Sequence, residues 1–192
     1  MRREKQVNKV IVLLFVGLLA LAGYLFGGDL DPRFHSQEEV KWQLPFGRSY
    51  DYNNILVSRV VDGDTLVLEN NEKLRLIGID TPEMHESDKL YRDARRSGEK
   101  ASTIRQLGRR SYEFTKKLVE GKRVKLEFDA ERFDRYKRIL AYVYLPDGAF
   151  LNALIVEQGY ASPMAYAPNT KYADLFARLY REARENKRGL WE

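Results

Sequence analysis

The strongest constraint on the fold of this 192-residue chain is a group of three short strand-like segments near its middle. Segments 55–61, 65–69 and 73–79 are rich in β-branched residues or alternate apolar and polar side chains. The turn-forming pairs Asp62-Gly63 and Asn70-Asn71 separate them. Because such short connections join neighbouring antiparallel strands, the pattern predicts a three-stranded meander.

The remaining patterns predict one helix, two strands and two further helices. Apolar side chains recur every three or four positions over residues 104–118 and the pattern stops at Gly121, which indicates an amphipathic helix. Two strand patterns and then two helix patterns follow, at 124–129, 139–145, 150–158 and 172–186. The resulting α+β order, βββαββαα, predicts a five-stranded barrel of the oligonucleotide-binding (OB) type with three helices.

The first 52 residues are expected to lie outside this domain. A basic N-terminus precedes an uncharged apolar run over residues 10–26, a pattern typical of a hydrophobic helix that directs a chain to a membrane. An uncleaved transmembrane anchor and a signal peptide cleaved near Ala20-Leu21-Ala22 both fit. The expected division is a signal anchor or signal peptide (1–27), a linker or stem (28–52) and an extracytoplasmic domain (53–192), which is membrane-anchored or secreted.

The composition restricts the chemistry available to this domain. The chain has no cysteine and only two histidines, His35 and His85. This excludes disulfide scaffolds, thiolate zinc sites and cysteine nucleophiles, so catalysis would depend on carboxylates and arginines. The net charge of +5 favours a polyanionic partner, and basic residues exceed acidic ones by 13 to 4 over residues 89–125. That basic run also fits an ordinary solvated helix face.

Two carboxylate motifs are expected to meet beside the predicted meander. Asp64 follows the first turn, whereas Asp80 and Glu83 follow the third strand. A hairpin brings these positions together, although each motif alone also fits a simple turn. Clustered carboxylates without histidine or cysteine suit Ca²⁺ or Mg²⁺, and their repulsion requires a cation or an arginine nearby. Arg75, on the third strand, can point toward this site.

A third motif, Asp134-Arg135-Tyr136-Lys137-Arg138, precedes the fifth strand. A tyrosine among three basic residues fits contact with phosphates and stacking on bases. A polar hairpin loop fits the same spacing.

Four motifs together resemble the staphylococcal nuclease-like (thermonuclease) family. They are VDGDT, LRLIGIDTPE, DRYKRILAYVY and NKRGLWE, and they occur in this order across residues 54–192. The resemblance implies a calcium-dependent endonuclease that hydrolyses DNA and RNA and leaves 3′-phosphates. A monomer is expected.

The resemblance also implies roles for individual residues. Asp64, Asp80 and the backbone carbonyl of Thr81 would bind Ca²⁺. Glu83 would orient or deprotonate the attacking water, and Arg75 and Arg138 would contact the scissile phosphate. The implied substrate-binding residues are Tyr136, Lys137 and Tyr166.

The sequence departs from the family pattern at three places. Lys137 stands where the family usually has glycine, and Met164 replaces the first of two tyrosines, of which Tyr166 remains. Residues 84–105 form a longer, arginine-rich segment, which is expected to be a substrate-side flap or an inert surface loop.

Two other functions remain open at this stage. A non-catalytic nucleic-acid-binding OB module would share the fold, although copies of that kind lack the acidic and arginine residues kept here. A nuclease that uses His85 as its general base is the other alternative, but no ligand pattern surrounds that histidine.

Overall fold

The computed structural model describes residues 50–192. The predicted hydrophobic helix and nearly all of the predicted linker lie outside the described residues, so the expected domain boundaries stay predictions. No helix within residues 50–192 combines the length and the apolar character that crossing a membrane requires.

The described chain contains seven strands, four α-helices and a final 3₁₀ turn. In chain order they are β1 (Ile55–Asp62), β2 (Thr65–Leu68), β3 (Lys73–Leu76), β4 (Gly78–Asp80), α1 (Asp88–Ser97), α2 (Ala101–Val119), β5 (Arg123–Glu127), β6 (Ile139–Tyr144), α3 (Leu151–Glu157), β7 (Ser162–Met164), α4 (Ala173–Glu185) and the 3₁₀ turn Gly189–Trp191.

Five strands close into a barrel in the order β1-β2-β3-β6-β5, with β5 pairing back onto β1. β3 and β6 are parallel, and the other barrel pairs are antiparallel. Inward-facing aliphatic side chains such as Leu66, Leu74 and Val143 fill the interior. The predicted α+β class and five-stranded OB-type barrel are therefore confirmed.

The sequence predicts one continuous strand over residues 73–79, and this prediction is wrong. The chain leaves the barrel at Ile77 and forms two separate strands. The buried Asn152 side chain donates to the Ile77 carbonyl (2.9 Å) and accepts from the Val143 amide (3.0 Å), which satisfies backbone groups that a continuous ladder would pair. Gly78 then has φ +80°, and a Cβ there would lie 2.5 Å from the Phe176 ring. The strand resumes as β4, which pairs with β7.

Most of the segment 84–105, expected to be a substrate-side flap or an inert surface loop, is helical. α1 begins after Ser87, whose Oγ accepts from the Leu90 amide (3.1 Å), and ends at Gly98 in the left-handed conformation. Leu90 is fully buried and attaches the helix to the domain. The domain thus has four α-helices where the sequence predicts three.

Candidate active site

Asp64 is the buried centre of the site. It lies between β1 and β2, and its Oδ2 accepts hydrogen bonds from the Thr81 amide (2.9 Å) and the Thr81 hydroxyl (3.1 Å). Nη1 of Arg75 lies 2.7 Å from the same oxygen. Burial opposes ionisation, but the Arg75 charge and the hydrogen bonds outweigh it, so the pKa of Asp64 is lowered.

Arg75 bridges the two predicted metal-binding aspartates. Strand register places it opposite Thr65, the residue after Asp64, and its Nη2 donates to Asp80 Oδ1 at 2.9 Å. Asp80 ends β4, so the break at Ile77 determines where its carboxylate lies. Burial raises the pKa of Asp80, and the opposing effects of nearby cations, Lys89 first among them, do not offset it fully. The hairpin argument is therefore confirmed for these two aspartates.

Lys89 contributes a second positive charge that the sequence interpretation missed. From the first turn of α1, its Nζ lies 3.0 Å from Asp80 Oδ1 and 3.3 Å from the Thr81 carbonyl oxygen. Burial would lower the pKa of Lys89, but Asp80 and Asp64 outweigh that effect and raise it. The ammonium thus contacts two of the three oxygens expected to bind calcium. A cationic side chain of the protein itself therefore occupies these two oxygens.

Asp62 is a further acidic neighbour, predicted only as a turn residue. Its Oδ1 accepts from the Asp64 amide at 3.1 Å. Burial and the negative charge of Asp64 raise the pKa of Asp62 to about 7. The first aspartate of the DGDT motif therefore helps to shape the loop that carries Asp64.

Glu83 does not join the two aspartates. Within residues 50–192, no three acidic or histidine side chains are grouped closely enough to hold a metal ion. The expected convergence of three carboxylates is absent from this part of the chain, and Arg75 and Lys89 lie beside the aspartates. In the described chain Glu83 accepts one hydrogen bond, a long one of 3.4 Å from the His85 amide. Its half-buried carboxylate is therefore available to solvent.

Arg138 is held by Asp134, its partner in the loop before β6. Asp134 Oδ1 accepts from the Tyr136 and Arg138 amides (both 2.9 Å), and its Oδ2 accepts from Arg138 Nε (2.7 Å). Burial opposes ionisation, but these bonds and the Arg138 charge lower the pKa of Asp134. β6 pairs with β3 so that Leu140 lies opposite Arg75, which puts Arg138 two positions away along the neighbouring strand.

The predicted substrate-binding residues lie on two loops beside the arginines. Tyr136 is 65% exposed, with the Arg138 guanidinium 5.6 Å from its ring centre. Lys137 has φ +63°, a left-handed conformation that glycine adopts more easily, which accounts for glycine as the usual residue at this position. Tyr166 is 71% exposed and lines, with Met164, a cavity of about 110 Å³ that extends to Arg75.

Some functional neighbours carry little signal in the sequence. Lys89 lies nine residues beyond Asp80 within a generally basic run, and only the position of α1 brings its ammonium back to the aspartates. The role of Asp134 could have been predicted from the sequence. An aspartate whose side chain accepts hydrogen bonds from the amides two and four residues later is a common turn pattern. His85 Nε2 lies 3.4 Å from the Val61 carbonyl oxygen.

Comparison with known proteins assigns the chain to a family. The family model described as staphylococcal nuclease homologue matches residues 73–192. The chain is 32% identical over 191 residues to the thermonuclease of Staphylococcus intermedius, covering 98% of this chain and 99% of that protein. It is 33% identical over 138 residues to the thermonuclease of Staphylococcus hyicus (70% and 73% covered) and 32% identical over 167 residues to the endonuclease YncB of Bacillus subtilis (82% and 72% covered). The chain therefore belongs to the staphylococcal nuclease family.

Proposed function

We propose that this protein is a calcium-dependent endonuclease that hydrolyses phosphodiester bonds of DNA and RNA and leaves 3′-phosphates. Relatives named thermonuclease and endonuclease support a nuclease, and a nuclease acts on nucleic acid. The observation that carries the proposal is the bridge from Arg75 to Asp64 and Asp80 at 2.7 and 2.9 Å. It concentrates carboxylates and a guanidinium, the groups that a metal-assisted phosphodiesterase needs.

The residues that would hold calcium are Asp64, Asp80 and the Thr81 carbonyl. Carboxylate and carbonyl oxygens are the ligands that Ca²⁺ prefers, and the Lys89 ammonium already contacts two of them. When bound, the ion would act as a Lewis acid toward a phosphate oxygen.

The protein's own residues divide the hydrolysis between them. Glu83 accepts a proton from the attacking water, whose oxygen forms a bond to phosphorus while the bond to the 5′-oxygen breaks and that oxygen takes a proton from solvent to leave as a hydroxyl. Arg75 and Arg138 donate hydrogen bonds to the non-bridging oxygens, where negative charge accumulates in the transition state. The exposed rings of Tyr136 and Tyr166 stack against bases, and Lys137 adds a phosphate contact.

The proposed location rests on the sequence of the first 26 residues. Their basic start and apolar run favour an extracytoplasmic domain that is either anchored or released by cleavage. N-terminal sequencing of the mature protein distinguishes the two. A monomer is proposed as well, to be tested by light scattering.

Removal of the metal is the direct test of this proposal. With the full chain, we expect EGTA to abolish cleavage of plasmid DNA and of RNA, and excess Ca²⁺ to restore it. Phosphatase treatment of the products should be required before their 3′ ends can be extended by a polymerase. Equal cleavage with and without EGTA would exclude the metal, whereas binding of nucleic acid without any cleavage would identify a non-catalytic module.

The Lys89 contacts predict an effect on metal affinity. Because its ammonium competes for Asp80 and Thr81, Lys89→Met should lower the Kd for Ca²⁺ about 10-fold or more, since removing one nearby charge at an effective dielectric constant near 20 is worth a few kcal/mol. Titration calorimetry without substrate measures this. Lys100→Met, an exposed lysine just before α2, is the matched control and should leave the Kd unchanged. An unchanged or weaker affinity in Lys89→Met would show that Lys89 does not compete.

A further inference from the structure

Helix α2 touches the loop that carries Glu83. A Cβ placed on Gly108 would lie 2.7 Å from the Glu83 carbonyl carbon and oxygen and from the Pro82 carbonyl oxygen, so only glycine permits this contact. Arg105 and Arg109 lie within one helical turn of Gly108 on the exposed side of α2. The exposed face of α2 therefore lies within one helical turn of the backbone contact with the loop that carries Glu83.

Two adjoining hollows run along this face of the helix. The first has a volume of about 600 Å³, and Met84 and His85 form its wall on the Glu83 side. The second, about 490 Å³, continues past Lys117 and Tyr160. The lining that they share consists of Gln106, Arg109 and Glu113. We call the two hollows together the α2 groove.

The dimensions of the α2 groove suit an extended polymer. Along α2, Ser102 and Lys117 mark its two ends, fifteen residues apart, which corresponds to ~22 Å of helix at 1.5 Å per residue. A duplex strand carries one phosphate per ~3.4 Å, so a strand lying along the groove places several phosphates in it. A single small ligand would use only a fraction of it.

Four basic side chains line the α2 groove, and one of them, Arg110, forms an ion pair with Glu192 at 2.9 Å. Arg109 makes no ion pair within the described chain, and Arg105 has one long, exposed contact of 3.3 Å to Glu86. Glu113 is the one acidic side chain in the described lining. Tyr112 adds a half-buried ring beside these arginines. Arginine combined with an aromatic ring is the usual composition of a surface that binds single strands.

We propose that the α2 groove binds the nucleic-acid strand beyond the scissile phosphate and so extends the active site. The inference rests on the proposed nuclease function, and it assigns Arg105 and Arg109 as phosphate-binding residues. Contacts of this kind fix the position of a strand without reading its sequence. Substrates long enough to reach the groove should therefore bind better than short ones, at low salt above all.

The test compares R105Q/R109Q with the control R178Q/R181Q, which removes two exposed arginines from α4. For each protein, kcat/KM is measured on a 20-nucleotide single strand and on a dinucleotide. R105Q/R109Q should lower the ratio of the two values about 10-fold, mainly through a higher KM for the long strand, because each lost phosphate contact weakens binding. The control should leave the ratio within about twofold of the wild-type value, because its arginines lie outside the groove.

A second measurement keeps this inference separate from the nuclease function. Binding of a labelled 20-nucleotide strand in EDTA is followed by fluorescence anisotropy, which needs no catalysis. Log K decreases with log salt, and this dependence should be less steep by ~1.4 in R105Q/R109Q. Each lost single-strand phosphate contact reduces the steepness by about 0.7. An unchanged slope and length ratio would overturn the proposal, as would equal losses in the control. Polyglutamate competing as well as DNA would assign the groove to acidic peptides. Absence of cleavage in every protein would contradict the proposed nuclease function but not the proposed binding of nucleic acid in the α2 groove.

Discussion

Replacing Glu83 with glutamine should lower kcat for DNA cleavage by about 10²–10⁴-fold, the usual contribution of a general base. The amide has nearly the same shape as the carboxylate, but it cannot accept the proton of the attacking water. Glu83 makes one long hydrogen bond, 3.4 Å from the His85 amide, within the described chain. The substitution should therefore leave the thermal midpoint, Ca²⁺ affinity and DNA binding close to the wild-type values.

Single-turnover cleavage at saturating Ca²⁺ measures this loss without interference from product release. Glu99→Gln removes an exposed carboxylate between α1 and α2 and should keep full activity. His85→Ala tests the competing assignment, because the proposed mechanism gives that ring no proton to transfer. Full activity in Glu83→Gln together with a loss in His85→Ala would show that His85, and not Glu83, is the general base.

The strands of the barrel could be predicted because short sequence patterns within each segment define them. Alternating segments and turn pairs in 55–79 define adjacent strands, and the register that follows places Arg75 beside Asp64. The break at Ile77 was not predictable in this way. It depends on a hydrogen bond from Asn152, 75 residues away along the chain, and no local pattern records such a contact.

The site was predictable where motifs carry it and unpredictable where a helix packs onto it. Asp64, Asp80 and Arg75 lie together as their motifs suggest. Lys89 belongs to a charged stretch whose periodicity is weak, so its position depends on how the buried Leu90 attaches α1 to the domain. A local pattern shows that such a stretch is basic, but only packing shows which residues face the aspartates.

Arg138→Lys should lower kcat/KM by about 10²–10³-fold, comparable with the loss of one preorganised oxyanion donor. Asp134 Oδ2 accepts a hydrogen bond from Arg138 Nε at 2.7 Å. Within residues 50–192, the two terminal nitrogens of Arg138 have no hydrogen-bond partner. The planar guanidinium can therefore bind Asp134 and a phosphate at once, with fixed geometry. A lysine ammonium is a single point charge, so binding Asp134 would remove it from the phosphate.

Asp134→Asn shows whether this geometry, beyond the charge, is what matters. The asparagine can still accept the Tyr136 and Arg138 amides through its carbonyl oxygen, so the loop should fold, but the charged bond to Arg138 Nε is lost. We expect a smaller loss of about 10-fold in kcat/KM, because a charge-assisted hydrogen bond positions the arginine and is worth about 1.5–3 kcal/mol. If Arg138→Lys instead kept near wild-type kcat/KM, positive charge alone would suffice at this position and Asp134 would have no positioning role.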